Sequence, residues 1–358
     1  MRSLRVLILE AQVPFVHGGA EILVRELAGA LLARGHDAQI VSIPFTDYPK
    51  EEIFAGAEAW RVLDVTRAAG RDVDLVIPTK FPTYFARHPR KVLWLVHQHR
   101  AAYELCGTRF SDFSHSDRDV ALRRRLIEVD TRMLRECIGH FTIAKTVSER
   151  LLTYNAIDSE ALYSPPKLAD RLHSGPSGDY VFTVTRLEHV KRVDLAIDAF
   201  ANVASRVHLV IAGDGSARQA LSEYIDRRGL RDRVTLLGPV DDDQLIELYS
   251  RCLAVLFAPY QEDYGYVTLE AFLSRKPVIT ARDSGGTLEF VTDGVNGYVC
   301  DPAPDALSVA INRLAADPAL AAELGDRGYE VATGISWDRV VDRLVGAART
   351  AETVGAGA

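Results

Sequence analysis

Short apolar runs alternate with longer amphipathic stretches along nearly the whole chain of 358 residues. RVLIL (5–9) predicts a strand, and its continuous rather than alternating apolar run suits one buried on both faces. AEILVRELAGALLARG follows with apolar residues at helical spacing, and Gly35 supplies a stop signal. AQIVSI, DLVIPT, KVLWLV and HFTIA read as further strands, separated by helical stretches such as RDVALRRRLIEVDTRMLREC. The pattern breaks at YSPPKLADRLHSGPSGDY (163–180), where prolines and glycines rule out a continuing helix. It resumes with YVFTV, VHLVIAG, RVTLLG, LAVLFA, KPVIT and GYVC, again with helices between them.

Such alternation predicts an α/β protein with parallel sheets and helices on both faces. The expected organisation is two doubly wound, Rossmann-like domains, 1–164 and 179–335, joined by a linker at 165–178. In 336–358, SWDRVVDRLVGAART predicts an amphipathic helix that could pack back on the first domain. TAETVGAGA after it reads as a frayed tail. Ligands of such sheets bind beyond the carboxyl ends of the strands, so the loops there are the places to look for chemistry.

Composition narrows the choices. Hydrophobic residues make up 47% and charged residues 25%, an ordinary globular balance, and the net charge of −7 gives no basic footprint for nucleic acid. Cys106, Cys137, Cys252 and Cys300 are scattered, as expected for reduced thiols of a cytoplasmic protein. The first apolar run is short and contains Glu10, which favours a strand over a leader. Nothing approaches the roughly 18 apolar residues of a membrane span, so membrane association is expected to be peripheral at most.

Several loops carry candidate chemistry. EDYGYVTLE (262–270) ends one loop in Glu262, turns through Gly265 and places Glu270 inside an apolar helix. A carboxylate there needs a partner or a ligand. TRLEHVKR puts Arg186 and Lys191 at a strand-to-helix turn, where a guanidinium and an ammonium could grip phosphate oxygens. Gly18 and Gly19 precede the first long helix, allowing close approach of a ligand to a helix N-terminus, although GxGxxG is absent. His97 and His99 follow a strand, and a substrate contact, a structural role and a metal pair are all open, with no third ligand nearby. Asp241 to Asp243 precede a helix and read as capping residues rather than a metal site. Arg123 to Arg125, mixed with acidic neighbours, read as a solvated helix face rather than a lipid contact. GxSxG, HExxH and GxxxxGK[ST] are all missing, so a serine hydrolase, a zincin and a P-loop ATPase have no support.

In order along the chain, TRLEHVKR, IAGDGSAR, LLGPVDDDQLIELY, EDYGYVTLEAFLSRKPVIT and SGGTLEFVTDGVNGYV resemble the retaining nucleotide-sugar glycosyltransferases of family 4, which have the GT-B fold of two Rossmann-like domains facing across a cleft. The resemblance implies an acceptor-binding first domain and a donor-binding second one. It assigns Glu262 to the donor sugar and Glu270 to the ribose hydroxyls. Gly265, Tyr266 and Val267 would offer backbone N–H groups to the diphosphate and sugar, and Tyr264 could narrow donor choice. Arg186 and Lys191 match the diphosphate-binding pair, Gly18 and Gly19 the first-domain glycines, and Gly238 and Val240 the backbone that reads the base. His97 matches the sugar-facing histidine, with His99 as the fallback. No divalent metal or other cofactor is expected to be essential, because cations and helix N–H groups can stabilise the departing diphosphate. Two departures stand out: relatives commonly have glycine where this chain has Thr185, and often glycine where it has Arg192. Either could tune phosphate contacts or donor choice.

The acceptor is open among carbohydrate, lipid-linked and small-molecule hydroxyls. UDP is the first expectation for the nucleotide and GDP the second. An epimerase or phosphorylase of the same architecture, or a non-catalytic nucleotide-sugar-binding module, are the alternatives. A glycoside hydrolase also uses two carboxylates, but has no need of a phosphate-binding cation pair.

Overall fold

The computed structural model describes residues 2–15, 18–46, 49–204 and 206–355, with side chains described as far as residue 350. Met1–Ser164 together with Ser336–Ala358 form one compact unit and Pro165–Ile335 the other. In the first unit, β1 (Arg5–Gln12) buries its six central residues. α1 (Gly19–Ala33) turns Leu23, Val24, Leu27 and Leu31 inward at helical spacing, and Gly35 follows with a φ of 79°, which glycine adopts without strain. β2 (Asp37–Pro44), α2 (Ile53–Val62), the short hairpin strands β3 (Arg67–Ala68) and β4 (Arg71–Asp72), and β5 (Leu75–Pro78) come next. β6 (Val92–Leu95), α3 (Asp117–Leu134), β7 (Gly139–Thr142), α4 (Lys145–Asn155) and β8 (Glu160–Ala161) complete the alternation. Two three-stranded parallel sheets result, β2-β1-β5 and β6-β7-β8. Single parallel bridges at Val76–Lys91 and Lys80–His97 link them.

The second unit begins with the Pro/Gly-rich segment, which is packed down rather than loose: the Gly175 and Gly178 N–H groups donate to the Ser250 and Arg251 carbonyls at 2.9 and 2.6 Å. β9 (Tyr180–Val184), α5 (Val193–Ala201), β10 (His208–Ala212), α6 (Arg218–Arg227) and β11 (Val234–Gly238) build one half of its sheet. α7 (Asp242–Arg251), β12 (Ala254–Leu256), α8 (Tyr266–Leu273), β13 (Val278–Ala281) and β14 (Gly297–Cys300) build the other, before α9 (Pro304–Ala316) and α10 (Pro318–Thr333). All six strands are parallel, in the order β11-β10-β9-β12-β13-β14. This is the doubly wound order, in which the winding reverses between β9 and β12 and leaves a crevice at their carboxyl ends.

α11 (Trp337–Gly355) belongs to the first unit. Trp337 meets Trp94 edge-on at 5.9 Å, and Arg34 pairs with Asp338 at 2.5 Å and with Asp342. The helix continues to Gly355, so 350–355 are not the frayed tail expected; 356–358 lie outside the described residues. Among the described residues no helix is long and apolar enough to cross a membrane, and all four cysteines are free thiols.

Candidate functional site

The loop after β9 is fixed by backbone contacts. Thr185 N–H donates to the Ala212 carbonyl at 3.2 Å and Leu187 N–H to that of Asp214 at 2.9 Å. Only glycine allows this approach: a Cβ on Gly213 would stand 1.9 Å from the Thr185 carbonyl oxygen, and one on Gly215 would stand 2.6 Å from that of Leu187. A single tight turn, His189–Lys191, then leads to Arg192, whose φ of 52° is left-handed. That conformation costs a residue with a Cβ about 1–2 kcal/mol. The guanidinium offsets it with four hydrogen bonds: Nε to the Ala258 carbonyl at 2.8 Å, Nη2 to that of Pro259 at 2.8 Å, and Nη2 and Nη1 to the two Asp283 oxygens at 2.6 and 2.8 Å. Arg192 is buried and its donors face protein. The expected tuning of phosphate contacts by this side chain is therefore corrected; it is a brace between loops.

Lys191 and Glu262 are brought together. Lys191 Nζ donates to Glu262 Oε2 at 2.6 Å, and both side chains are largely buried, at 12% and 16% exposure. Burial strengthens such a pair, and each charge neutralises the other. Glu262 is held in turn by the loop after β13. Its N–H donates to the Ser284 carbonyl at 3.1 Å and its carbonyl accepts from Gly286 N–H at 2.7 Å. A Cβ on Gly285 would stand 2.4 Å from that same carbonyl oxygen. Arg186 is different: it is exposed and its guanidinium makes no hydrogen bond or ion pair among the described residues. It is an available cation at the carboxyl end of β9.

Gly265 caps α8 with φ 85° and ψ 55°, and a Cβ there would come within 2.8 Å of Thr287 Oγ1. The first turn of α8 starts at Tyr266 and Val267, Thr268 N–H donates to the Gly265 carbonyl at 2.9 Å, and the positive end of the helix dipole there favours an anion. Tyr264 is buried, with its ring edge-on to Tyr266 at 4.7 Å and to Phe290 at 5.5 Å. Its ring belongs to an aromatic cluster beside the start of α8. One turn further along α8, Glu270 accepts a hydrogen bond from the Tyr249 hydroxyl at 2.7 Å. Burial, reinforced by Asp242 and opposed by that hydrogen bond, holds the carboxyl above the usual glutamate range. Its second oxygen has no partner among the described residues.

Gly238, with φ 82°, ends β11, and its carbonyl accepts from Gly213 N–H at 2.8 Å; Val240 follows, half-buried. Asp241 caps α7 by accepting from Gln244 N–H at 2.8 Å. Asp242 pairs with Lys167 at 2.6 Å and Asp243 with Arg171. The three aspartates thus serve a helix end and two ion pairs. Among the described residues no group of three or more His, Cys, Asp or Glu is arranged to hold a metal.

In the first unit, the Gly18 N–H donates to Glu21 Oε2 at 2.9 Å, so the start of α1 (Gly19) already carries a carboxylate. Glu21 also accepts from Lys80 Nζ at 2.8 Å. Burial raises its pKa, but the Lys80 charge and these hydrogen bonds outweigh burial and leave it below the ordinary value. His97 is half-buried with Nδ1 2.7 Å from the Gln98 carbonyl, which makes Nδ1 the protonated nitrogen. His99 is buried, edge-on to Phe81 at 5.6 Å and Phe113 at 6.0 Å. Of the two, His97 is the more open. On α3, Arg123 is not a solvated cation: its Nε donates to the Ala102 carbonyl at 2.6 Å.

Three features of the site escape sequence reasoning: the hydroxyl from Tyr249, the Arg192–Asp283 brace and the backbone seat for Glu262. Only the last leaves a local signal, the DSGG run after an apolar strand, since paired glycines there mark a close backbone approach.

Two solved structures share this architecture along nearly the whole chain. Sucrose-phosphate synthase from Thermosynechococcus elongatus matches with a TM-score of 0.78 at 18% identity, over 99% of this chain and 100% of that one. Anabaena HepE in complex with UDP and glucose matches with a TM-score of 0.67 at 19% identity, over 99% and 100%. The chain has the GT-B fold, with a doubly wound, Rossmann-like sheet in its second unit. Residues 169–331, most of that unit, match the family Glycosyl transferases group 1. Alpha-1,3/1,6-mannosyltransferase ALG2 of Homo sapiens is 30% identical over 279 residues, 68% of this chain. The match spans just under two thirds of the human protein's length, 64%.

Proposed function

We propose that the protein is a retaining glycosyltransferase that moves a hexosyl group from a nucleoside diphosphate sugar to a hydroxyl acceptor. The observation that carries this reading is the grouping of Arg186, Lys191, Glu262 and the start of α8 at the carboxyl ends of β9 and β12. Breaking a sugar–phosphate bond builds negative charge on the departing diphosphate and positive character at the anomeric carbon. A free guanidinium and a helix N-terminus are suited to the first. Lys191 would join them by passing from Glu262 to the diphosphate, which frees the Glu262 carboxylate to face the sugar. The open oxygen of Glu270 is suited to ribose hydroxyls. The family resemblance assigns His97 to the sugar.

UDP is the first nucleotide to try, supported by the UDP bound to HepE, and GDP the second. A mannosyl group is a natural first sugar, because the human relative is named a mannosyltransferase. The test is product analysis: incubate the protein with UDP- and GDP-hexoses and a panel of carbohydrate and lipid-linked acceptors, then read the new anomeric proton by NMR. A glycoside with the donor's anomeric configuration is expected. An inverted product would refute retention. A sugar epimerised without an acceptor, or released only with free phosphate, would refute transfer.

A further inference from the structure

Arg192 lies directly after Lys191, and its side chain ends on three separate points of the loops that carry Glu262. Two are the carbonyls of Ala258 and Pro259, at the start of the β12–α8 loop. The third is the Asp283 carboxylate, held through both its oxygens. Asp283 is itself tied to the same loop, because its carbonyl accepts from Gln261 N–H at 2.9 Å. A further bond, Tyr260 N–H to the Val190 carbonyl at 2.8 Å, joins the two loops just beside the brace. Lys191 and Glu262 thus sit at the tips of two loops whose separation is set one residue away by a buried fork of hydrogen bonds. The side chain stays in this role even though its backbone is in a region that favours glycine.

Taking the proposed transfer reaction as its basis, we infer that Arg192 is a positioning residue, which with Asp283 sets the spacing of the Lys191 ammonium and the Glu262 carboxylate and so prepares both for the donor. The planar guanidinium is needed for this because it can meet a carboxylate with two parallel bonds and still reach the carbonyls, whereas an ammonium is a single point. Arg186, Glu270 and the start of α8 are not held by the brace.

The test compares wild type with Arg192→Gly, Arg192→Lys and Asp283→Asn. Glycine suits the left-handed backbone, so Arg192→Gly removes the side chain without adding backbone strain; the other two are milder and keep the test usable if that variant does not fold. Two readouts are taken: the crystal structure of each folded variant, and UDP binding alongside the rate of UDP-hexose turnover, including donor hydrolysis. The expected results are a Lys191–Glu262 separation beyond hydrogen-bonding distance, turnover lowered at least tenfold in kcat, and a UDP Kd within about threefold of wild type. Arg192→Lys should not restore kcat. A Lys191–Glu262 pair unchanged from 2.6 Å in the variants overturns the inference, whether or not the protein turns over any donor. So does an unchanged kcat. Absence of donor turnover in the wild type counts instead against the transferase reading, and the crystal structures still decide the role of Arg192.

Discussion

A carboxyl group inside an apolar helix is unfavourable unless something stabilises its charge, and Glu270 meets that condition only in part. The Tyr249 hydroxyl satisfies one oxygen, while burial keeps the pKa raised. Under the proposed function, the remaining oxygen accepts hydrogen bonds from ribose hydroxyls. Glu270→Ala should therefore weaken nucleotide binding by roughly tenfold to a hundredfold, the value of a hydrogen bond to a charged group being about 1.5–3 kcal/mol. Calorimetry would check it. The pH dependence has a definite sign. The ionised form is the better acceptor, so affinity should hold above the raised pKa and fall as pH drops through it, beginning at higher pH than an exposed glutamate would give. The alanine variant should lose that dependence. Glu270 stands out in the sequence because a charge in an apolar run is anomalous. Its partner does not, because Tyr249 lies 21 residues earlier on another helix, and a tyrosine on an amphipathic helix reads as ordinary packing.

Single elements were legible to different depths. The start of α7 could be read directly, since an aspartate three residues before a glutamine at a helix start is a local capping pattern. The left-handed turn at Arg192 could not, because its stability comes from residues 66 to 91 positions away. α3 shows a similar limit. Its periodicity predicts the helix, but Asp130, which reads as part of a polar face, is completely buried and accepts from the Tyr103 hydroxyl at 2.7 Å. Burial pushes its carboxyl up from 3.8 to about 7, against the hydrogen bond from Tyr103. Folded protein then keeps a proton between these two values that the unfolded chain releases. Stability is therefore lost as pH rises across that window, by up to roughly 1.4 kcal/mol per pH unit, with no further loss above it. Asp130→Asn should flatten this slope. Urea melts of both proteins between about pH 5 and pH 8 would show it, and identical slopes would mean that Asp130 is ionised throughout.

At the scale of the whole molecule, the alternation of apolar runs and amphipathic stretches was enough to anticipate parallel sheets, because strands buried on both faces must be apolar throughout. Strand order was not visible in the same way. It depends on which edges pair, yet it decides that the loops after β9 and β12 are neighbours and that Lys191 meets Glu262. The proposed function requires the second unit to hold a nucleoside diphosphate at this point of its sheet. A thermal-shift series with UDP, GDP, ADP, TDP and their common sugar conjugates tests it most directly. At a hundred times its Kd a ligand stabilises the folded state by about 2.7 kcal/mol, so one base should raise the melting temperature clearly above the others, and Arg186→Ala combined with Lys191→Ala should reduce the shift. A folded protein whose melting temperature none of these nucleotides moves would mean that the second unit does not bind a nucleoside diphosphate.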